Sequence, residues 1–136
     1  MEKQKTLVLD ASVIVKWFLH EENSDKARII RSKLENGDIS IIIPELLFLE
    51  ISNSLRYNKI KEKNILIANK ILFDADFEIV HLNEEIMLKT IENSVKHGIT
   101  IYDALYVTLA QASGTFLITA DKGLHKIPNV IALEKT

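Results

Sequence analysis

The chain has 136 residues, 47% of them apolar, which suits one hydrophobic core and excludes wholesale disorder. With no cysteine it can build no disulfide framework, no thiolate zinc site and no cysteine nucleophile, and it suits a reducing cytoplasm. A formal net charge of −2 argues against nucleic-acid binding through general basicity, though a local basic patch can override the overall balance.

The opening MEKQKTLVLD is basic and then apolar, but Asp10 interrupts the apolar run after four residues, so no secretory signal is expected. No later run approaches the roughly 18 apolar residues needed to cross a bilayer, so no membrane partner is expected. TLVLD (6–10) is apolar without alternation, as in a parallel strand buried on both faces. Ser12 is placed to cap the helix SVIVKWFL that follows. SDKARIIRSKLENG (24–37) has helical periodicity and stops at Gly37. ISIII (39–43) is β-branched and short, hence a strand, and Pro44 suits the first turn of a helix over 44–59. Helices over 63–75, 83–98 (cap Asn83, stop Gly98) and 100–114 (stop Gly114) alternate with strands at 77–82, 115–119 and 130–133. This alternation predicts a parallel sheet covered by helices on both faces. In such sheets, sites lie beyond the carboxyl ends of the strands, where strand order reverses.

Four acids interrupt apolar stretches. Asp10 ends the first strand, and Asp121 follows FLIT almost at once. Glu50 sits inside PELLFLEISNSL, and Asp103 lies in the first turn of TIYDALYVTLA. On a doubly wound sheet their elements can bring them to one rim. Carboxylates gathered there repel and raise one another's pKa, and a hard divalent cation relieves this. Mg²⁺ or Mn²⁺ held in this way suits phosphodiester hydrolysis and needs no protein nucleophile.

Each acid also has a purely structural explanation. Thr100 and Asp103 fit a capping box, Asp121 can cap a short turn, and Asp10 can cap a helix or pair with a lysine. Glu50 resists this most, although Asn53, Ser54 and Tyr57 form a polar strip on its side of the helix. Trp17, Tyr102 and Tyr106 read as core or interface aromatics. His20, His81, His97 and His125 show no ligand spacing. RYNKIKEK (56–63) is the most basic stretch and could touch a phosphate backbone.

The ordered set LVLDASVIVKWFL, PELLFLEISNSL, TIYDALYVTLAQ and FLITADKGL spans nearly the whole chain. It resembles the PIN-domain family, in particular the VapC-type toxins of prokaryotic toxin–antitoxin pairs. The resemblance implies one domain over 1–136 with a three-layer α/β/α sandwich around a five-stranded parallel sheet. It implies a cytoplasmic endoribonuclease dependent on Mg²⁺ or Mn²⁺. By motif position, Asp10, Glu50, Asp103 and Asp121 would form the acidic catalytic and metal site, with Ser12, Asn53 and Thr119 as supporting polar neighbours. It also implies a homodimer and a small VapB-like antitoxin whose tail enters the acidic cleft. No further acid follows Asp121 closely, where some relatives carry one, which leaves one or two metals open. The rivals are an inactive PIN-like module that only holds RNA or protein, a phosphoacceptor regulator built on Asp10, and a metal-free histidine ribonuclease.

Overall fold

A computed structural model describes residues 5–136; residues 1–4 lie outside the described residues. In chain order the elements are β1 (Lys5–Leu9), α1 (Ala11–Ile14, continued by a 3₁₀ turn Val15–Trp17), α2 (Ser24–Glu35) and β2 (Ile39–Pro44). They continue with α3 (Leu46–Tyr57), α4 (Glu62–Asp74), β3 (Glu78–Val80), α5 (Glu84–His97) and α6 (Ile101–Ala112). β4 (Leu117–Thr119), a 3₁₀ turn (Lys122–Leu124), β5 (Val130–Ala132) and a last 3₁₀ turn (Leu133–Lys135) complete the fold.

The five strands form one parallel sheet in the order β3-β2-β1-β4-β5. Strand succession runs outward from β1 through β2 to β3, then jumps back across β1 to β4 and β5. Right-handed crossovers therefore put α1–α4 over one face and α5–α6 over the other. The reversal lies between β1 and β4, whose pairing matches Val8 with Leu117 and Leu9 with Ile118. One step further along this register come Asp10 and Thr119.

Leu7, Val8 and Leu9, like Ile41, Ile42 and Ile43, are buried because helices cover both sheet faces. α6 is buried from Ala104 through Ala110 without interruption, which makes it an interior helix rather than an amphipathic surface one. Each fully buried side chain of the Leu9 or Ile41 kind contributes about 1.5–3 kcal/mol relative to exposure.

Two local expectations change. Pro44 closes β2, paired in register with Val80, instead of opening α3. A proline at a strand's last position forfeits one ladder donor and nothing more. Asp10, not Ser12, caps α1: its carboxylate accepts from the Val13 amide at 3.3 Å. Ser12 lies inside the helix, and its hydroxyl turns toward Asp10. The cap Asn83 and the left-handed Gly98 (φ 63°) bound α5 as expected.

Candidate active site

The reversal point carries a hydroxyl–carboxylate cluster. Asp10 is 5% exposed, yet both its oxygens are held. The Ser12 hydroxyl donates to Oδ1 at 2.5 Å, and the Thr119 hydroxyl donates to Oδ2. Those hydroxyls are fixed in turn by backbone: the Ala120 amide donates to Ser12 Oγ (2.9 Å) and the Asp121 amide to Thr119 Oγ1 (3.0 Å). The end of β4 and the end of β1 are thus tied together through a carboxylate. Burial raises the Asp10 pKa from 3.8 to about 6, against the lowering effect of the Ser12, Thr119 and Val13 hydrogen bonds; the nearby Asp103 charge adds to the rise.

Glu50 comes in from α3, half-buried. Burial raises its pKa, its hydrogen bond from Tyr106 opposes this, and the charges of Asp10 and Asp103 raise it further. Tyr106 Oη donates to Glu50 Oε1 at 2.5 Å. Tyr106 is 1% exposed, and its own pKa is pushed far up by burial and by these carboxylates. Asp103 stands in the first turn of α6, where its amide donates to the Thr100 hydroxyl at 3.0 Å. Burial raises the Asp103 pKa, the Asp121 charge raises it further, and a Thr100 hydrogen bond opposes both. Asp121 is exposed and caps the turn Lys122–Leu124 through the Gly123 amide (2.9 Å). The capping and electrostatic roles of Asp10, Asp103 and Asp121 therefore coexist.

The charge of a neighbouring acid thus reaches Asp10, Glu50 and Asp103. The four acids do not form a ready-made cage: among the described residues, no group of three or more Asp, Glu or His side chains is gathered closely enough to hold a metal ion. The reason is visible locally. Asp10 is held by two hydroxyls, Glu50 turns to Tyr106, and Asp121 turns back to its own helical turn. The donor set nevertheless fits a hard divalent cation in chemistry. It offers oxygen ligands only, and its negative charge is partly buried and mutually repelling.

Asn53 is exposed, and the expected polar strip does not engage Glu50; that partner is Tyr106. Sequence reasoning placed Tyr106 in the core, where it is, and missed its hydroxyl. The available signal was its position three residues after Asp103, which puts both on one face of α6. Trp17 is also core: it stacks on Phe77 (5.9 Å between centroids) and donates from its indole to the Ala27 carbonyl at 2.9 Å. Tyr102 is 61% exposed. The basic residues Arg56, Lys59, Lys61 and Lys63 are all exposed, at and beyond the far end of α3.

Among the described residues, no helix is long and apolar enough to cross a membrane. The family model described as PIN domain matches residues 7–130. A curated relative, Ribonuclease VapC3 of Pyrobaculum aerophilum, is 30% identical over 131 residues, covering 92% of this chain and 97% of the relative. Among solved structures, the Mycobacterium tuberculosis toxin VapC20, described as cleaving the sarcin-ricin loop, aligns with a TM-score of 0.70 at 12% identity, over 85% of this chain and 90% of that one. A solved structure of a Pyrobaculum aerophilum protein aligns at 0.69 and 20% identity, over 97% of this chain and 92% of that one. A toxin–antitoxin complex from Klebsiella pneumoniae aligns at 0.67 and 16% identity, over 93% and 97%. These structural likenesses carry the fold: five parallel strands and six helices in the same arrangement.

Proposed function

The chain belongs to the PIN-domain family, and from that premise we propose that it is a ribonuclease, the toxin of a toxin–antitoxin pair, built as a single PIN domain over 1–136. The observation that carries this reading is the placement of Asp10. A carboxylate held on both oxygens by hydroxyls, at the strand-order reversal and within electrostatic reach of Glu50 and Asp103, is a site prepared for a cationic ligand.

In this reading Asp10, Glu50, Asp103 and Asp121 are the residues that hold Mg²⁺ or Mn²⁺. Such an ion, when bound, neutralises the acids, polarises the phosphate and activates water for attack at phosphorus. The chain's own residues do the remaining work. Ser12 and Thr119 fix the Asp10 carboxylate in one orientation, and Tyr106 fixes Glu50. Asp103 and Asp121 bring the more exposed charges to the mouth of the site. Asn53 is kept as a polar neighbour on the solvent side of α3. Hydrolysis by water leaves 5′-phosphate and 3′-hydroxyl ends, because the ribose 2′-hydroxyl takes no part.

Two partners complete the proposal. A small antitoxin with a cationic tail suits the unneutralised acids, and a homodimer suits the exposed apolar side chains Leu49, Leu66, Phe73 and Val95 on α3–α5. The place of action is the cytoplasm, where the RNA is.

The test is cleavage of RNA by the purified protein with Mn²⁺ or Mg²⁺, with EDTA, and as Asp10→Asn. Loss of cleavage under EDTA and in Asp10→Asn supports the reading. Cleavage that survives both rejects the metal mechanism. RNA binding without turnover at any metal concentration identifies an inactive binding module instead.

A further inference from the structure

Thr119, which holds Asp10, also lines a small cavity of about 70 Å³. Lys16, Lys122, His125 and Thr119 line it, with Glu22 and Glu134 also present. The inner groups are cationic or hydrogen-bond donors. Lys16 is only 9% exposed, and its one ion pair among the described residues is a long contact of 3.5 Å to the exposed Glu21. His125 Nε2 is buried and has no hydrogen-bond partner among the described residues. Glu22, Glu134 and Lys122 are all exposed and sit at the mouth. Lys122 makes no ion pair among the described residues.

Of the inner groups, Lys16 holds one long ion pair and His125 Nε2 has no partner among the described residues. A nearly buried ammonium is costly unless closely paired, and a shielded ring nitrogen without a partner costs about 1–3 kcal/mol. An anion with several acceptor oxygens would satisfy both at once. The setting says which anion. A polyanionic strand whose reacting phosphate lies at four carboxylates meets repulsion at every neighbouring phosphate. The chain as a whole supplies no compensating charge, its formal net charge being −2. Lys16 and Lys122 place ammonium groups beside the acids, in a pocket whose mouth also carries Glu22 and Glu134. The basic residues of RYNKIKEK, by contrast, are all exposed and lie at and beyond the far end of α3 from Glu50.

We propose that this cavity is a phosphate-binding subsite for the RNA backbone next to the cleaved position, with Lys16 and His125 as its floor and Lys122 at its mouth. Lys16 donates as a point charge, and His125 donates from Nε2. Thr119 links the subsite to Asp10, so that seating the neighbouring phosphate and orienting the carboxylate share one side chain.

The inference rests on the ribonuclease reading, and the experiment separates the two. Binding of a fluorescent single-stranded RNA oligonucleotide is measured by anisotropy against salt in EDTA, and cleavage is measured separately in Mn²⁺. The proteins are wild type, Lys122→Gln, Lys16→Gln and the control Lys63→Gln. Because Lys16 is buried, the exposed Lys122 carries the conclusion if Lys16→Gln does not fold. Removing one phosphate contact should lower affinity about three- to tenfold and flatten the plot of log affinity against log salt by about 0.7. In Mn²⁺, Lys122→Gln should raise KM several-fold with kcat within about twofold, while Lys63→Gln changes neither. Chemical-shift movement of the His125 ring on RNA addition is expected as well. RNA binding and cleavage with an unchanged salt slope and KM in the Lys16 and Lys122 variants would overturn the subsite and leave the ribonuclease reading intact. A protein that neither binds nor cleaves RNA overturns both.

Discussion

The Tyr106 hydroxyl donates a 2.5 Å hydrogen bond to Glu50, joining α6 to the helix that follows β2. Glu50 makes no comparable bond on its own helix, so Tyr106 sets where its carboxylate points. Tyr106→Phe keeps the ring in a 1%-exposed site and removes only the donor. A hydrogen bond to a charged group contributes about 1.5–3 kcal/mol, so urea denaturation should report a loss of that order. Orienting partners of metal ligands are worth about 10–100-fold in activity or metal affinity. Cleavage should fall within that range, with partial recovery at higher Mn²⁺. A variant as active as wild type at low metal concentration would show that Glu50 needs no such positioning.

How much of this was legible in the sequence divides along physical lines. The acids were legible because charge inside apolar runs such as TLVLD and PELLFLEISNSL violates the partitioning that shapes every other segment. The sheet was legible because β-branched runs alternate with helical periodicity. Tyr106 and Pro44 were not. A tyrosine's ring and its hydroxyl give opposite signals, and in a helix buried throughout from Ala104 to Ala110 the ring dominates. Pro44 fits a strand end and a helix start equally well by its fixed φ, and only the pairing with Val80 decides. The lone His125 nitrogen has no sequence signature, since its isolation arises from tertiary packing.

Asp10 should cost stability at neutral pH. Its pKa is about 6 in the folded protein against 3.8 for a free aspartate, so between these values the folded state binds more protons than the unfolded one. Stability therefore falls as pH rises from about 4 to 6, and the full penalty, on the order of 3 kcal/mol, persists above that. Asp10→Asn removes the charge and keeps the shape. Its Tm should exceed that of wild type at pH 8 without divalent ions, and the difference should shrink toward pH 4, while cleavage is abolished. A mutant less stable than wild type at pH 8 would mean that the Ser12 and Thr119 hydrogen bonds already outweigh the burial cost.

Thr119 serves two clients. It donates to Asp10 and accepts from the Asp121 amide at 3.0 Å while fully buried. Thr119→Val preserves volume and leaves both without that partner, at a cost of about 1–3 kcal/mol for each unmet buried group. Thr119→Ser retains the hydroxyl and loses one methyl, about 1 kcal/mol. The serine variant should therefore keep most of the cleavage activity and the valine variant little. Equal activity in the two would detach Thr119 from the reaction, whatever their melting temperatures.

Divalent-ion binding should be coupled to proton release. With a folded pKa of about 6, Asp10 carries a proton in roughly half of the molecules at that pH, and a cation must displace it. Glu50 and Asp103 are shifted upward as well, so they add to the release rather than cancel it. Apparent Mn²⁺ affinity should weaken as pH falls from 7.5 to 5, approaching a tenfold loss per pH unit below 6. Thermal shift should mirror this, since a ligand stabilises by its occupancy of the native state: a clear rise in Tm with Mn²⁺ at pH 7.5 and a small one at pH 5. Calorimetry in two buffers of different ionisation enthalpy reads the released protons directly. The count should approach one proton per ion from Asp10 below pH 6, be about half that at pH 6 and decline toward pH 8, where the carboxylates are already charged. A Tm rise of equal size at pH 5 and 7.5, with no proton released, would place the ion somewhere other than around Asp10.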